Sequence, residues 1–308
     1  MHWSWSTHFG ASDNEHKKGQ KAVSKIDLRL NDTPWLAPCD GTFSLESMPT
    51  RADEADAPIS KKALRKVVRR IADAQRMLYA QNRFAVLLVF QAMDAAGKDS
   101  TIRNVLSGVN PAGCQVWSFK RPSSLELDHD FLWRTTLRLP ERGRIGVFNR
   151  SQYEEVLVVR VHPSILDNQQ LPIEPDLNTI WDDRLSSIAQ QEAHLARNGT
   201  IVLKFFLNVS RDEQKRRFLD RLNRPEKRWK FEPNDVRERH HWEAYMSAYQ
   251  QAIAATSKPW APWYCIPADN KPRMRMEVAQ IISRTLDALP LEFPQTGAAD
   301  QAVHDEMH

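Results

Sequence analysis

A run of small residues closes on a lysine in Gln91–Asp99, which reads QAMDAAGKD. Small residues let a backbone curl until its N–H groups point inward at an anion. A helix that starts there adds about half a positive charge at its N-terminus. Lys98 would lie along the phosphates as a mobile cation, with Ala95, Ala96, Gly97 and Asp99 forming the cradle around them. The pattern GxxxxGK[ST] is met except at two places: Ala92 stands for the first Gly, and Asp99 for the Ser or Thr that normally reaches magnesium. Asp94 sits among these donors. A carboxylate there repels phosphate unless a cation intervenes, so it reads either as a Mg²⁺ ligand or as a general base for the accepting group. The plainer alternative is an ordinary strand–turn–helix corner.

A second group lies in Ile145–Pro163, IGVFNRSQYEEVLVVRVHP. A buried strand ends here in Asn149 where an acid often holds magnesium. Arg150 follows at once, and its permanently charged fork suits a transferring phosphoryl group. Asn149 could hold a metal-bound water, with Glu154 as a second polar candidate. His162, standing before a proline, reads as structural. A third group is basic: between Arg211 and Phe231 there are nine Lys/Arg against four Asp/Glu, a local surplus of +5 in a chain whose whole surplus is +4. Arg217, Arg221 and Arg224 recur at helical spacing, and Pro225 then interrupts the chain. Such a unit could close over phosphates as a lid, could be a solvated helix face, or could be a nucleic-acid surface; no base-reading motif accompanies it.

The elements that must position these groups alternate. Ser60 predicts the cap of a helix to about Gln81, in which Leu64, Val67, Val68, Ile71 and Leu78 share a face. Phe84–Phe90 is a continuous apolar run, as a strand buried on both faces requires. Helices are predicted at about 98–107, 125–139, 210–222, 234–255 and 271–286, with a long one marked by Leu177 to Leu195 and stopped at Gly199. Residues 152–159 read as a helix or a helix running into a strand. Further strands are predicted at 114–119, 145–148, 200–207 and 263–266. This order implies an α/β domain, residues 58–290, with a mainly parallel sheet between helical layers and a helical lid at about 212–235. Residues 1–57 read as an irregular arm that wraps the core or a neighbouring subunit, and 291–308 as a loose tail. Ligands in such sheets bind at the carboxyl ends of the strands.

In combination, QAMDAAGKD, FKRPS (Phe119–Ser123), LDHDFLWR (Leu127–Arg134), LPERGRIGVFNRSQYEEVLVVRVHP (Leu139–Pro163) and RPEKRWKF with Asp235 resemble the second family of polyphosphate kinases, over about Gln81 to Pro272. The resemblance implies a three-layer α/β/α P-loop kinase-like fold and Mg²⁺-dependent transfer of the terminal phosphoryl of inorganic polyphosphate to a nucleotide, reversible in principle. It implies catalytic roles for Asp94, Lys98 and Arg150, and positions near the phosphates or acceptor for Lys120, Arg134 and Glu154. Arg217, Arg221 and Lys227 match lid positions that would hold polyphosphate. Asn149, with AGKD in the loop, matches the subgroup that accepts nucleoside monophosphates as well as diphosphates, so AMP and ADP are the expected acceptors, with guanine nucleotides open. Gln152 replaces the His expected there. The family also implies a homo-oligomer, dimer or tetramer. An ATP-dependent nucleotide or small-molecule kinase and a non-catalytic polyanion binder are the rival readings.

The bulk numbers agree with a globular enzyme: 41% apolar and 27% charged residues in 308 exclude a disordered chain. No stretch approaches the ~18–20 apolar residues of a membrane span, and no apolar leader opens the chain. Three scattered cysteines, with no CxxC, suggest a reducing cytoplasm and neither a disulfide framework nor a zinc site. Neither a nucleic acid nor a membrane is an expected partner.

Overall fold

The computed structural model describes residues 33–52, 58–229, 231, 233–295 and 307. Helix α1 (Lys61–Gln81) starts where the Ser60 hydroxyl accepts from Ala63 N and stops where Asn82 turns left-handed at φ 53°. β1 (Ala85–Gln91) is buried at every position, followed by α2 (Lys98–Val105) and β2 (Cys114–Ser118). Two short helices, α3 (Ser124–Leu127) and α4 (Trp133–Thr136), lead to β3 (Ile145–Asn149). Then come α5 (Glu154–Val161), α6 (Ile180–Arg197), β4 (Thr200–Asn208), α7 (Arg211–Asn223), α8 (Pro225–Arg228), α9 (Pro233–Glu238), α10 (Trp242–Thr256), β5 (Trp263–Pro267) and α11 (Lys271–Ala288).

The five strands form one sheet in the order β2-β3-β1-β4-β5, all parallel. β1 lies at its centre, paired Phe90 to Asn149 on one side and Gln91 to Phe206 on the other. The chain leaves β1 toward β2 but leaves β3 toward β4, in the opposite direction. Right-handed crossovers therefore place the intervening helices on opposite faces. In agreement, α11 packs against both α1 and α2, and α5, α6 and α10 form a second group. The reversal of direction falls between β1 and β3. In sheets of this kind such a reversal leaves a crevice at the carboxyl ends of the strands, and ligands bind there.

Three expectations change in the structure. The predicted helix 125–139 is two helices, because Asp130 breaks it: its carboxylate accepts from Leu132 N at 2.9 Å and its carbonyl from Trp133 N at 3.0 Å. The predicted helix 234–255 is divided by a 3-10 turn at Arg239–His241. Just before it, Glu238 is held by Tyr245 at 2.7 Å and His162 at 2.8 Å. The long helix begins at Ile180, leaving Leu177 outside it. Residues 33–52 lie along the β5 edge: Ala37 N donates to Trp263 O and Cys265 N to Trp35 O, while Trp35, Phe43 and Leu45 join the core. Residues 1–32, and most of the tail beyond 295, lie outside the described residues. Among the described residues no helix is long and apolar enough to cross a membrane.

Candidate active site

The loop 92–97 joins the end of β1 to α2. Its backbone is left-handed at Ala95 (φ 60°) and Gly97 (φ 112°), but not at Ala92. The departure from a glycine at 92 is therefore harmless, since nothing there needs glycine's freedom. At Gly97 the opposite holds. The φ value disfavours a side chain, and a Cβ would meet the Met274 methyl at 3.3 Å and the Ser100 hydroxyl at 3.5 Å.

Helix α7 fixes the loop from behind. Gln214 Nε2 donates to Asp94 O at 2.9 Å, and Arg217 Nη1 to Ala95 O at 3.1 Å and Ala96 O at 2.5 Å. Three successive carbonyls are thus drawn toward one helix. Arg217 Nη2 also donates to Ala268 O and Asp269 O, and Glu213 accepts from its Nε at 2.7 Å. Arg217 is 4% exposed. This corrects the sequence reading: it is buried under the loop, not displayed on a lid with Arg221. Arg221 stands 3.7 Å from Asp235 and over the Phe218 ring. Lys227 lies in α8, its side chain outside the described ones, and Trp229 is exposed.

Lys98 opens α2, its Nζ donating to Ala92 O at 2.6 Å. Burial pulls the ammonium below the usual lysine range, opposed by Asp94, Glu154 and Asp99 and aided by Arg150. Arg150 comes from the other side of the crevice. It occupies a left-handed conformation (φ 65°) just past β3, its N–H donates to Phe90 O, and its Nη2 meets Asp94 Oδ1 at 3.1 Å. Both side chains are about two-fifths exposed, at 42% and 35%, so the pair lies at the mouth of the site. Strained backbone of this type persists where the surroundings enforce it. Burial pushes the Glu154 carboxyl up from its ordinary value, with Arg150 and Lys98 opposing.

Asn149 and Asp99 belong together. Asn149 Nδ2 donates to Asp99 Oδ1 at 2.7 Å and to Ser118 Oγ at 3.3 Å, linking the ends of β3 and β2 to the first turn of α2. An Asp at 149 would set two carboxylates in contact, so Asn at one position suits Asp at the other. Farther out, Arg134 Nη2 donates to Lys120 O at 2.8 Å, its Nε stands 3.3 Å from Glu126, and its guanidinium covers the Phe119 ring. Lys120 itself is exposed.

The structure thus brings Asp94, Lys98, Arg150, Glu154 and, through Asp99, Asn149 to one crevice, and sets Lys120 and Arg134 on its flank. Sequence reading missed Gln214. It also missed Tyr249, which is buried and close enough to Glu154, Asp94 and Arg150 to feel their charges. Neither carries a local signal, since both act across the fold. Among the described residues no three His, Cys, Asp or Glu gather as a metal-holding group. Magnesium commonly takes only one or two carboxylates and completes its shell with phosphates and water. Asp94, with one oxygen on Arg150 and its carboxylate partly exposed, fits that need.

Residues 54–293 match the family model described as Polyphosphate kinase 2 (PPK2). An ADP-polyphosphate phosphotransferase of Rhodopseudomonas palustris is 56% identical over 237 residues, 77% of this chain and 82% of that protein. An AMP/ADP-polyphosphate phosphotransferase of Meiothermus ruber is 42% identical over 86% of this chain and 96% of its own length. The crystal structure of Polyphosphate Kinase 2 from Arthrobacter aurescens TC1 superposes with a TM-score of 0.78 at 34% identity, covering 88% of this chain and 98% of that one. A sheet of order 2-3-1-4-5, a lysine-tipped loop on its central strand and an arginine just past the neighbouring strand thus occur in a chain that belongs to the polyphosphate kinase 2 family.

Proposed function

We propose that this chain moves a phosphoryl group between inorganic polyphosphate and a nucleoside mono- or diphosphate, forming ADP from AMP and ATP from ADP, with reversal possible. The observation that carries this is the Asp94–Arg150 pair at 3.1 Å across the mouth of the crevice, with Lys98 beside it in a loop whose three carbonyls are tied back to α7. Phosphoryl transfer needs alignment and neutralised charge more than covalent help. The loop amides and Lys98 hold the donor end, and Arg150 stabilises charge on the moving group. Asp94 would hold Mg²⁺, which when bound neutralises charge shared between the two phosphate groups. Lys120 and Arg134 flank the crevice as further phosphate or acceptor contacts. Arg221 and Lys227 are the lid cations for the polyphosphate chain. Asn149 with Asp99, together with the Meiothermus relative named for both acceptors, supports AMP as well as ADP.

The test supplies polyphosphate as the sole phosphoryl source, with Mg²⁺ and AMP, ADP, GMP or GDP in turn, and reads nucleotides by chromatography. The expected result is the next higher nucleotide from AMP and from ADP, lost on chelating the metal. Turnover only when ATP is added would identify a nucleotide-dependent kinase instead. Salt-sensitive binding without any turnover would identify a polyanion-binding protein.

A further inference from the structure

We infer that Arg103 and Arg275 form a landing site for the trailing phosphates of the donor chain, outside the cradle that holds its reacting end. This rests on the donor reading above. Arg103 lies on α2, five residues beyond Lys98, and Arg275 on the second turn of α11, which packs against α2. The two helices meet directly behind the loop: Thr101 Oγ1 contacts Met274 Sδ at 3.9 Å, and the same methionine closes on Gly97.

The charges around Arg275 are unbalanced. The neighbours it senses are Arg103 and Arg217, both cations, and Arg217 already spends its donors on carbonyls and Glu213. Among the described residues Arg275 Nε is buried with no hydrogen-bond partner. Nearby guanidinium groups are treated differently: Arg273 is held by Glu277 at 2.6 Å, and Arg216 by Glu213 at 2.6 Å. Two cations set together without a carboxylate repel each other unless an anion lies between them. A guanidinium fork matches phosphate oxygens, which makes phosphate the fitting anion.

Chain chemistry favours a polyphosphate over a lone phosphate. A linear donor gripped at one end must lead its remaining phosphates away over the protein surface. Helix α2 starts at the cradle, so its flank is among the first surfaces available. A nucleic acid would meet the same two arginines, and competition separates the cases.

The experiment uses Arg103→Gln, Arg275→Gln and the double variant, with ADP as acceptor and either tripolyphosphate or a long polyphosphate as donor. The site predicts a KM for the long chain raised about 5–10-fold in the double variant, with a shallower salt dependence as phosphate contacts are lost. The KM for tripolyphosphate and kcat with either donor stay within about twofold, and Arg275→Lys recovers only part of the long-chain affinity, since an ammonium keeps the charge but loses the fork. Unchanged KM at both lengths would overturn the site. An equal rise at both lengths with a lowered Tm would overturn it too, marking the arginines as structural. Stronger inhibition of the parent by single-stranded DNA than of the double variant, with no change in long-chain KM, would assign the surface to nucleic acid. Absence of turnover by the parent with either donor would remove the donor reading itself, whatever the variants did.

Discussion

Replacing Lys98 by Ala is expected to lower turnover with polyphosphate and ADP by at least about 10³-fold while leaving the fold intact, and Asp94→Asn to do nearly the same. Cations aimed at a transferring phosphoryl group are worth on the order of 10³–10⁵ in rate. The site offers few to share that work: Lys98, the loop amides and Arg150. Lys98 is held against Ala92 O at 2.6 Å, a carbonyl that a phosphate oxygen can replace as its partner. On the proposed function, Asp94 at the mouth keeps the metal beside both substrates. Stability should barely move in Asp94→Asn, because the Asp94–Arg150 pair is about two-fifths exposed and such pairs contribute up to about 1 kcal/mol. Circular dichroism and a melting curve check the fold, and a chromatographic assay checks the rate. Retention of near-parental turnover in either variant would contradict the assignment. Burial also lowers the Lys98 pKa. If the protonated ammonium does the work as proposed, activity should fall on the alkaline side at a pH below the ordinary lysine range.

The second large effect concerns stability. Lys204→Met should destabilise the domain by about 3–5 kcal/mol, the usual result of removing one partner of a buried ion pair. In a domain of this size that is roughly 6–20 °C in Tm. Lys204 lies in the centre of β4 and is completely buried, with Glu192 beside it on α6. Its Nζ donates to Glu192 Oε2, to Tyr153 Oη at 3.0 Å and to Thr256 O at 2.8 Å. The Tyr153 hydroxyl, which gives its one hydrogen to the Glu192 carboxylate at 2.9 Å, also lies 2.8 Å from Thr256 Oγ1. Burial pushes the Glu192 carboxyl up and the Lys204 ammonium down, each opposed by the other's charge. Without Lys204 the carboxylate is stranded. Lys204→Met combined with Glu192→Leu should recover most of the loss, as whole-pair replacements commonly do. A single-variant loss below about 1 kcal/mol would mean that the pair is not charged in the native state. The network also has a functional place: Tyr153 sits between Arg150 and Glu154, so the turn that aims both into the crevice is anchored from below.

Where the fold was legible in the sequence, burial on both faces made it so. β1 reads as an uninterrupted apolar run, and β4 as one broken only by Lys204, because helices cover both sides of the sheet centre; β1 is buried at all positions. The loop was legible because its chemistry is local, a small-residue turn ending in Gly97-Lys98 at the end of a strand. Two helix breaks were not, since Asp130 and Glu238 act through turn and cross-element hydrogen bonds that periodicity does not carry. Arg217 shows the limit most clearly. Spacing puts it on one face with Arg221, but spacing does not say which part of that face is covered. Three loop and strand-end carbonyls offered acceptors, and the guanidinium went inside. Gln214, whose amide holds Asp94 O, is silent in sequence for the same reason.

The most direct measurement is a crystal structure with tripolyphosphate and Mg²⁺ bound. The expected picture has a phosphate seated in loop 92–97 against its amides, Lys98 Nζ moved from Ala92 O to a phosphate oxygen, and the metal on Asp94. Phosphates bound elsewhere, with Lys98 still on Ala92 O and Asp94 away from the metal, would contradict it.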